Sequence, residues 1–116
     1  MPTYQRTHVH TTADLRAIAN HAGNFFFSRD IMRFFNSRLL GGVYPANGHE
    51  ATEGAVFYFV TSEAYEDDPR HYTVRRAVLG IQRDDRPAIN IATVGGHHAT
   101  PAEARRAARE LVAGTA

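Results

Sequence analysis

Five of the seven phenylalanines fall within eleven residues, in the run Phe25-Phe26-Phe27-Ser28-Arg29-Asp30-Ile31-Met32-Arg33-Phe34-Phe35. Burying one Phe side chain contributes roughly 1.5–3 kcal/mol, so a run this dense has to find cover. The two arginines inside it keep it from being core throughout. Its pattern divides into three parts. Phe25–Phe27 is short, aromatic and preceded by the turn signal Gly23-Asn24, which reads as an extended entry. Ser28 follows as a helix cap, with Asp30 in the first turn where negative charge suits the dipole. Phe27 and Met32 occupy the two positions of a hydrophobic staple. A helix over 29–39 then places Ile31, Phe34, Phe35 and Leu39 on one side and Arg29, Arg33, Asn36 and Ser37 on the other, and Gly41-Gly42 stops it. Alternate side chains of an extended segment oppose one another, so Phe25, Phe26 and Phe27 cannot all face inward. Aromatics flanked by arginine are enriched at interface hot spots. Phe25, Phe26, Phe27, Arg29 and Arg33 are therefore the candidate protein-binding surface, and a homodimer is one form that its use can take.

The 116 residues are expected to form one domain, with residues 1–8 and 114–116 as loose tails. A chain of this length buries enough surface to dispense with staples. It has no cysteine, which excludes disulfides and thiolate metal sites. No apolar stretch approaches the ~20 residues of a membrane span, and the first residues lack a signal-peptide pattern. The expectation is a cytoplasmic protein with no membrane contact.

The remaining elements follow from pattern. Leu15, Ile18, Ala19 and Ala22 give one buried face to a helix over 12–22, with Thr11 and Asp14 spaced as a capping box. Residues 43–45 read as a brief edge strand ended by Pro45, before a loop over 46–53. Residues 55–62 are β-branched and aromatic enough for a central strand covered on both faces. Strands over 71–79 and 88–94 follow short turns, which makes the sheet an antiparallel meander. Thr100-Pro101-Ala102-Glu103 is a capping box that opens a helix over 101–113, with Ala104, Ala107, Ala108 and Leu111 on a narrow face and Gly114 after it. The fold class is α+β: a three- to five-stranded, mainly antiparallel sheet with about three helices packed mainly on one face.

All 13 basic residues are arginine, and the formal net charge is +1. Arginine suits planar contacts to carboxylate or phosphate, although a GC-rich genome also produces a lysine-free chain. The signs are segregated. Residues 50–68 hold six acids and no arginine, between segments that carry +3 and +4. Arg105, Arg106 and Arg109 form a ridge on the last helix. Arg75 and Arg76 are adjacent on a strand and must point to opposite faces, so one needs a carboxylate in the layer that packs the sheet, or a bulge. The acidic turn over 63–68 is the natural partner. Together Arg75, Arg76, Arg105, Arg106 and Arg109 are the candidate nucleic-acid surface.

Seven histidines are present, and His8-x-His10 with His97-His98 has the residue types of a zinc set without any recognised spacing. No metal or other cofactor is expected. Gly95-Gly96 reads as a strand-to-helix turn, the kind of place where an anion nest forms. The chain has no cysteine nucleophile, no Gly-x-Ser-x-Gly elbow and no phosphate loop. His49, Glu50 and Glu53 are the one compact acid–base group, in a loop. The reading is a protein without enzymatic activity.

Three stretches together carry a likeness: residues 26–38, residues 58–63 with 69–75, and the closing Ala- and Arg-rich helix. Through them the chain resembles small proteins encoded by phages and prophages of actinobacteria, over roughly residues 20–113. The resemblance implies an accessory protein that acts in the cytoplasm of an infected host cell by binding a host or phage protein, and it brings no catalytic residues with it. The helix–three-strand–helix order is also similar to that of double-stranded-RNA-binding and three-stranded-sheet DNA-binding domains, by topology alone. Nucleic-acid binding is thus the alternative expectation.

Overall fold

A computed structural model describes residues 8–22, 32–33, 37–46, 48–50, 53–64, 69–81 and 87–115. The chain is α+β. Helix α1 spans Thr12–Ala22, followed by strands β1 (Arg38–Pro45), β2 (Val56–Glu63), β3 (His71–Ile81) and β4 (Pro87–His98), and by helix α2 (Pro101–Thr115). Among the described residues, these strands form one antiparallel sheet in the order β1-β2-β3-β4.

β2 organises the packing. Phe57 and Phe59 point to one side, where they bury against Val9, Leu15, Ile18 and Ala19 from the N-terminal segment and α1. Tyr58 and Val60 point to the other, against Ala104 and Ala108 of α2. Helices α1 and α2 therefore cover opposite faces, which corrects the expectation of helices mainly on one face. The reason is the strand itself. An alternating strand with bulky apolar residues at successive positions needs a hydrophobic layer on each side.

α1 begins where the capping pattern placed it. The Asp14 carboxylate accepts from the backbone N–H groups of His10 at 2.9 Å and Thr11 at 3.2 Å, which ties down the helix entry. α2 is capped at Thr100, whose hydroxyl accepts from Glu103 N–H at 3.2 Å, while the Glu103 carboxylate accepts from Ala99 N–H at 3.2 Å. Its Ala104 and Ala108 are both fully buried, so the helix axis sits close to the sheet. α2 also continues past Gly114 to Thr115.

The helix expected over 29–39 is only partly among the described residues. Met32 and Arg33 are helical, and Ser37 N–H donates to Met32 C=O at 2.7 Å, but Arg38 and Leu39 already belong to β1. Leu39 packs with the α1-side core and Leu40 with the α2-side core. That alternation is a strand's, and it gives both leucines cover that a helix face would give only one of. Gly41-Gly42 is accordingly not a helix stop. It lies within β1, where the register with β2 shifts between Leu39 and Val43. Glycine conformation matters at Gly54, whose φ of 86° lies in the left-handed region and whose N–H donates to Leu79 C=O at 2.8 Å, leading the chain into β2.

Close packing of α2 gives a test. Ala108→Leu inserts bulk between helix and sheet and is expected to lower stability by roughly 1–3 kcal/mol. Ala102→Leu, at an exposed position of the same helix, should change it by less than about 0.5 kcal/mol. Urea denaturation of the two variants checks this.

Candidate functional site

The antiparallel register brings the chain's polar and charged candidates to two places. On the α1 side of the sheet, Glu63 at the end of β2 and Arg75 on β3 form an ion pair, with side chains only 8% and 16% exposed. Arg75 Nε donates to Thr61 Oγ1 at 2.9 Å and its Nη1 donates to Thr93 Oγ1 at 2.7 Å. Nη2 reaches Glu63 Oε1, which also accepts from the Thr61 hydroxyl at 2.9 Å. Three strands thus contribute to one network: Thr61 and Glu63 from β2, Arg75 from β3 and Thr93 from β4. The register of β3 with β4 shifts between Val74 and Arg75, while Arg75 and Arg76 pair in step with Thr93 and Ala92 and so point to opposite faces. The expected pairing of an arginine with the acidic stretch is found, with Glu63 as the partner.

Arg75 is thus engaged within the sheet by Glu63, Thr61 and Thr93. Its charge is largely removed from solvent and already neutralised. Arg76 points the opposite way and is exposed. Removing one member of a buried pair leaves an uncompensated charge. Glu63→Gln is expected to destabilise the fold by about 3–5 kcal/mol. The double change Glu63→Gln with Arg75→Met should be less damaging than the single one, and chemical denaturation of both variants distinguishes the two results.

The second place is the outer surface of α2. Arg105, Arg106 and Arg109 are all exposed, as are Glu103 and Glu110 between and beside them. None of the three arginines forms an ion pair among the described residues. The buried alanines hold the opposite side of the helix against the sheet, so the ridge faces outward by construction. The strand-to-helix turn expected at Gly95-Gly96 is not found. β4 runs on to His98, Gly95 pairs with Val74, and the glycines sit in an irregular stretch of strand rather than in a turn. The N-terminus of α2 is occupied by its own Thr100 and Glu103 side chains.

The histidines gather in a way that the sequence spacing did not show. His8, His10 and His49 are exposed and stacked, with ring centroids 6.1 Å apart for His8–His10 and 4.5 Å for His10–His49. His49 Nδ1 donates to Val9 C=O at 2.8 Å, and Val9 N–H donates to His49 C=O at 2.8 Å. These bonds clasp the N-terminal segment to the loop before β2, with His8 bridged to Glu50 and Thr11 to Gly42. Face-to-face rings do not converge their lone pairs on one point, and no group of three metal-ligating side chains occurs among the described residues. His98 lies in β4 opposite Tyr72. Glu50 and Glu53 are exposed. The signal for this clasp was the alternation His8-Val9-His10, which puts Val9 in the core between two outward rings.

Phe25, Phe26, Phe27 and Arg29 lie outside the described residues. Arg33 is exposed, next to half-buried Met32. No helix among the described residues is long and apolar enough to cross a membrane.

Neither a curated protein nor a solved structure matches the chain. A family model matches residues 11–111, from the cap of α1 to near the end of α2. That span takes in α1, the four described strands and most of α2, and the chain belongs to the family of unknown function DUF7447.

Proposed function

We propose that this chain is a small non-enzymatic accessory protein, of the phage type that its sequence resembles, which works by binding a host or phage protein. The observation that carries the reading is the outer surface of α2. Three arginines stand exposed there, without an ion pair among the described residues and interleaved with Glu103 and Glu110. A phosphate backbone presents one sign of charge and favours a uniformly basic surface. A protein surface presents both signs, and a mixed ridge complements it while rejecting partners whose charges fall out of step. Exposed arginine is also among the residues that most often anchor such contacts. The aromatic segment Phe25–Phe27 with Arg29 and Arg33 is the second element of the proposed surface, on the strength of its sequence.

The nucleic-acid reading is weakened by the loss of Arg75 to Glu63, which leaves Arg76, Arg105, Arg106 and Arg109 for it. Fluorescence anisotropy with labelled duplex DNA and RNA separates the two. Wild-type protein is expected to give no salt-steep binding at low ionic strength. In lysate from the phage host, crosslinked protein partners should survive nuclease treatment and be lost with Arg105→Glu/Arg109→Glu. Duplex binding that steepens with falling salt and disappears in that variant would sink the protein-binding reading.

A further inference from the structure

We propose that the α2 side of the sheet is a docking surface for an acidic protein segment, rich in Asp and Glu, which lies across α2 and the β3–β4 strip beside it. The register sorts the charges of the sheet by face. The charged residues of the described strands are Arg38, Glu63, Arg75 and Arg76. Glu63 and Arg75 fall on the α1 side and pair with each other there. Arg38 stands opposite Ser62, and Arg76 opposite Tyr58 and Ala92. Residues directly opposed across two strands share a face. Tyr58 and Val60 pack against α2, and Ser62 follows them by alternation. Arg38 and Arg76 therefore stand on the α2 side, where no carboxylate of the described strands meets them. Both are exposed, and neither forms an ion pair among the described residues. Arg105, Arg106 and Arg109 add exposed arginines from α2 itself. Against them α2 sets Glu103 and Glu110, and the Glu103 carboxylate is already engaged by Ala99 N–H. A chain whose formal net charge is only +1 thus places an excess of arginine on this side, among its described helices and strands.

Charge complementarity selects the occupant, and the choice rests on the reading of α2 as a protein-binding surface. A planar guanidinium pairs with a carboxylate through two parallel hydrogen bonds. On the same side as Arg76 lie Val78 and Ala92, both half-buried, with exposed Asn90 opposite Val78. This strip offers apolar contact next to a charged one, which suits a polypeptide that carries apolar residues among its acids. A phosphate backbone repeats its negative charge at every step, and Glu103 and Glu110 oppose it. A polypeptide can set uncharged residues against those two positions. Complementary charge of this kind is screened by salt, so binding is expected to weaken as ionic strength rises.

Fluorescence anisotropy with a labelled peptide of mixed Glu and Leu, beside its counterpart with Gln for every Glu, tests the proposal. The full chain is expected to bind the acidic peptide and not the counterpart. Arg76→Glu should weaken binding by about tenfold or more, because it brings like charges together. Arg16→Glu makes the same change of charge at an exposed position of α1, across the sheet, and should leave binding close to the wild-type value. Thermal unfolding of both variants establishes that they fold. Failure of the wild type to bind the acidic peptide overturns the proposal. So does equal weakening by Arg16→Glu and Arg76→Glu, which would mark a general attraction of charge. Tighter binding of labelled duplex DNA or RNA than of the acidic peptide, lost in Arg76→Glu, overturns it in favour of a nucleic acid. Lysate partners that depend on Arg105 and Arg109 but persist in Arg76→Glu overturn this proposal alone and leave the α2 reading standing.

Discussion

The fold depends on a single strand that is apolar on both of its faces. Phe57 and Phe59 are completely buried on one side of β2, and Tyr58 and Val60 almost completely on the other. Neither side can be given to water, because each aromatic left exposed would forfeit roughly 1.5–3 kcal/mol. The sheet must therefore be an inner layer, with α1 and the segment around Val9 on one side and α2 on the other. The positions of the helices, of the two hydrophobic cores and of the exposed arginines all follow from that requirement.

The same strand ends in buried polar residues. Thr61, Ser62 and Glu63 are all buried, and they are tolerable there because neighbouring strands meet them with donors. Arg75 binds Thr61 and Glu63, and Arg70 donates to the Ser62 hydroxyl at 2.7 Å. Buried charge is stable only when paired and hydrogen-bonded. This end of the sheet is where the acidic stretch of the chain and the basic stretch after it neutralise each other. The segregated charge seen along the sequence is in this part an internal balance rather than a display toward partners.

What remains available to partners is set by what packing leaves over. α2 touches the sheet through alanines, so its long charged side chains all project outward. β1 is closed off by its own irregular register and by the N-terminal segment, which the His49–Val9 bonds hold in place. Among the described residues, the charged outer side of α2 is what packing leaves facing outward.

The elements whose evidence is local were legible in the chain. α1 begins and ends where periodicity and the Thr11–Asp14 pair placed it, and the Thr100–Glu103 box marked the start of α2. The double-sided burial of β2 was readable from its unbroken apolar run, and the need of one arginine for an internal carboxylate from the adjacency of Arg75 and Arg76. Leu39-Leu40-Gly41-Gly42 was not readable, because a helix end and an irregular strand present the same residues and only pairing with β2 decides between them. Nor did the spacing reveal that His49 stacks on His10, far away along the chain, or that Glu63 is the carboxylate which meets Arg75. The sequence by itself determined the periodicities and caps, since these are written in neighbours a few residues apart. The tertiary structure alone decided which face each helix covers and which arginine is spent inside, because those depend on register between segments that the chain order does not specify.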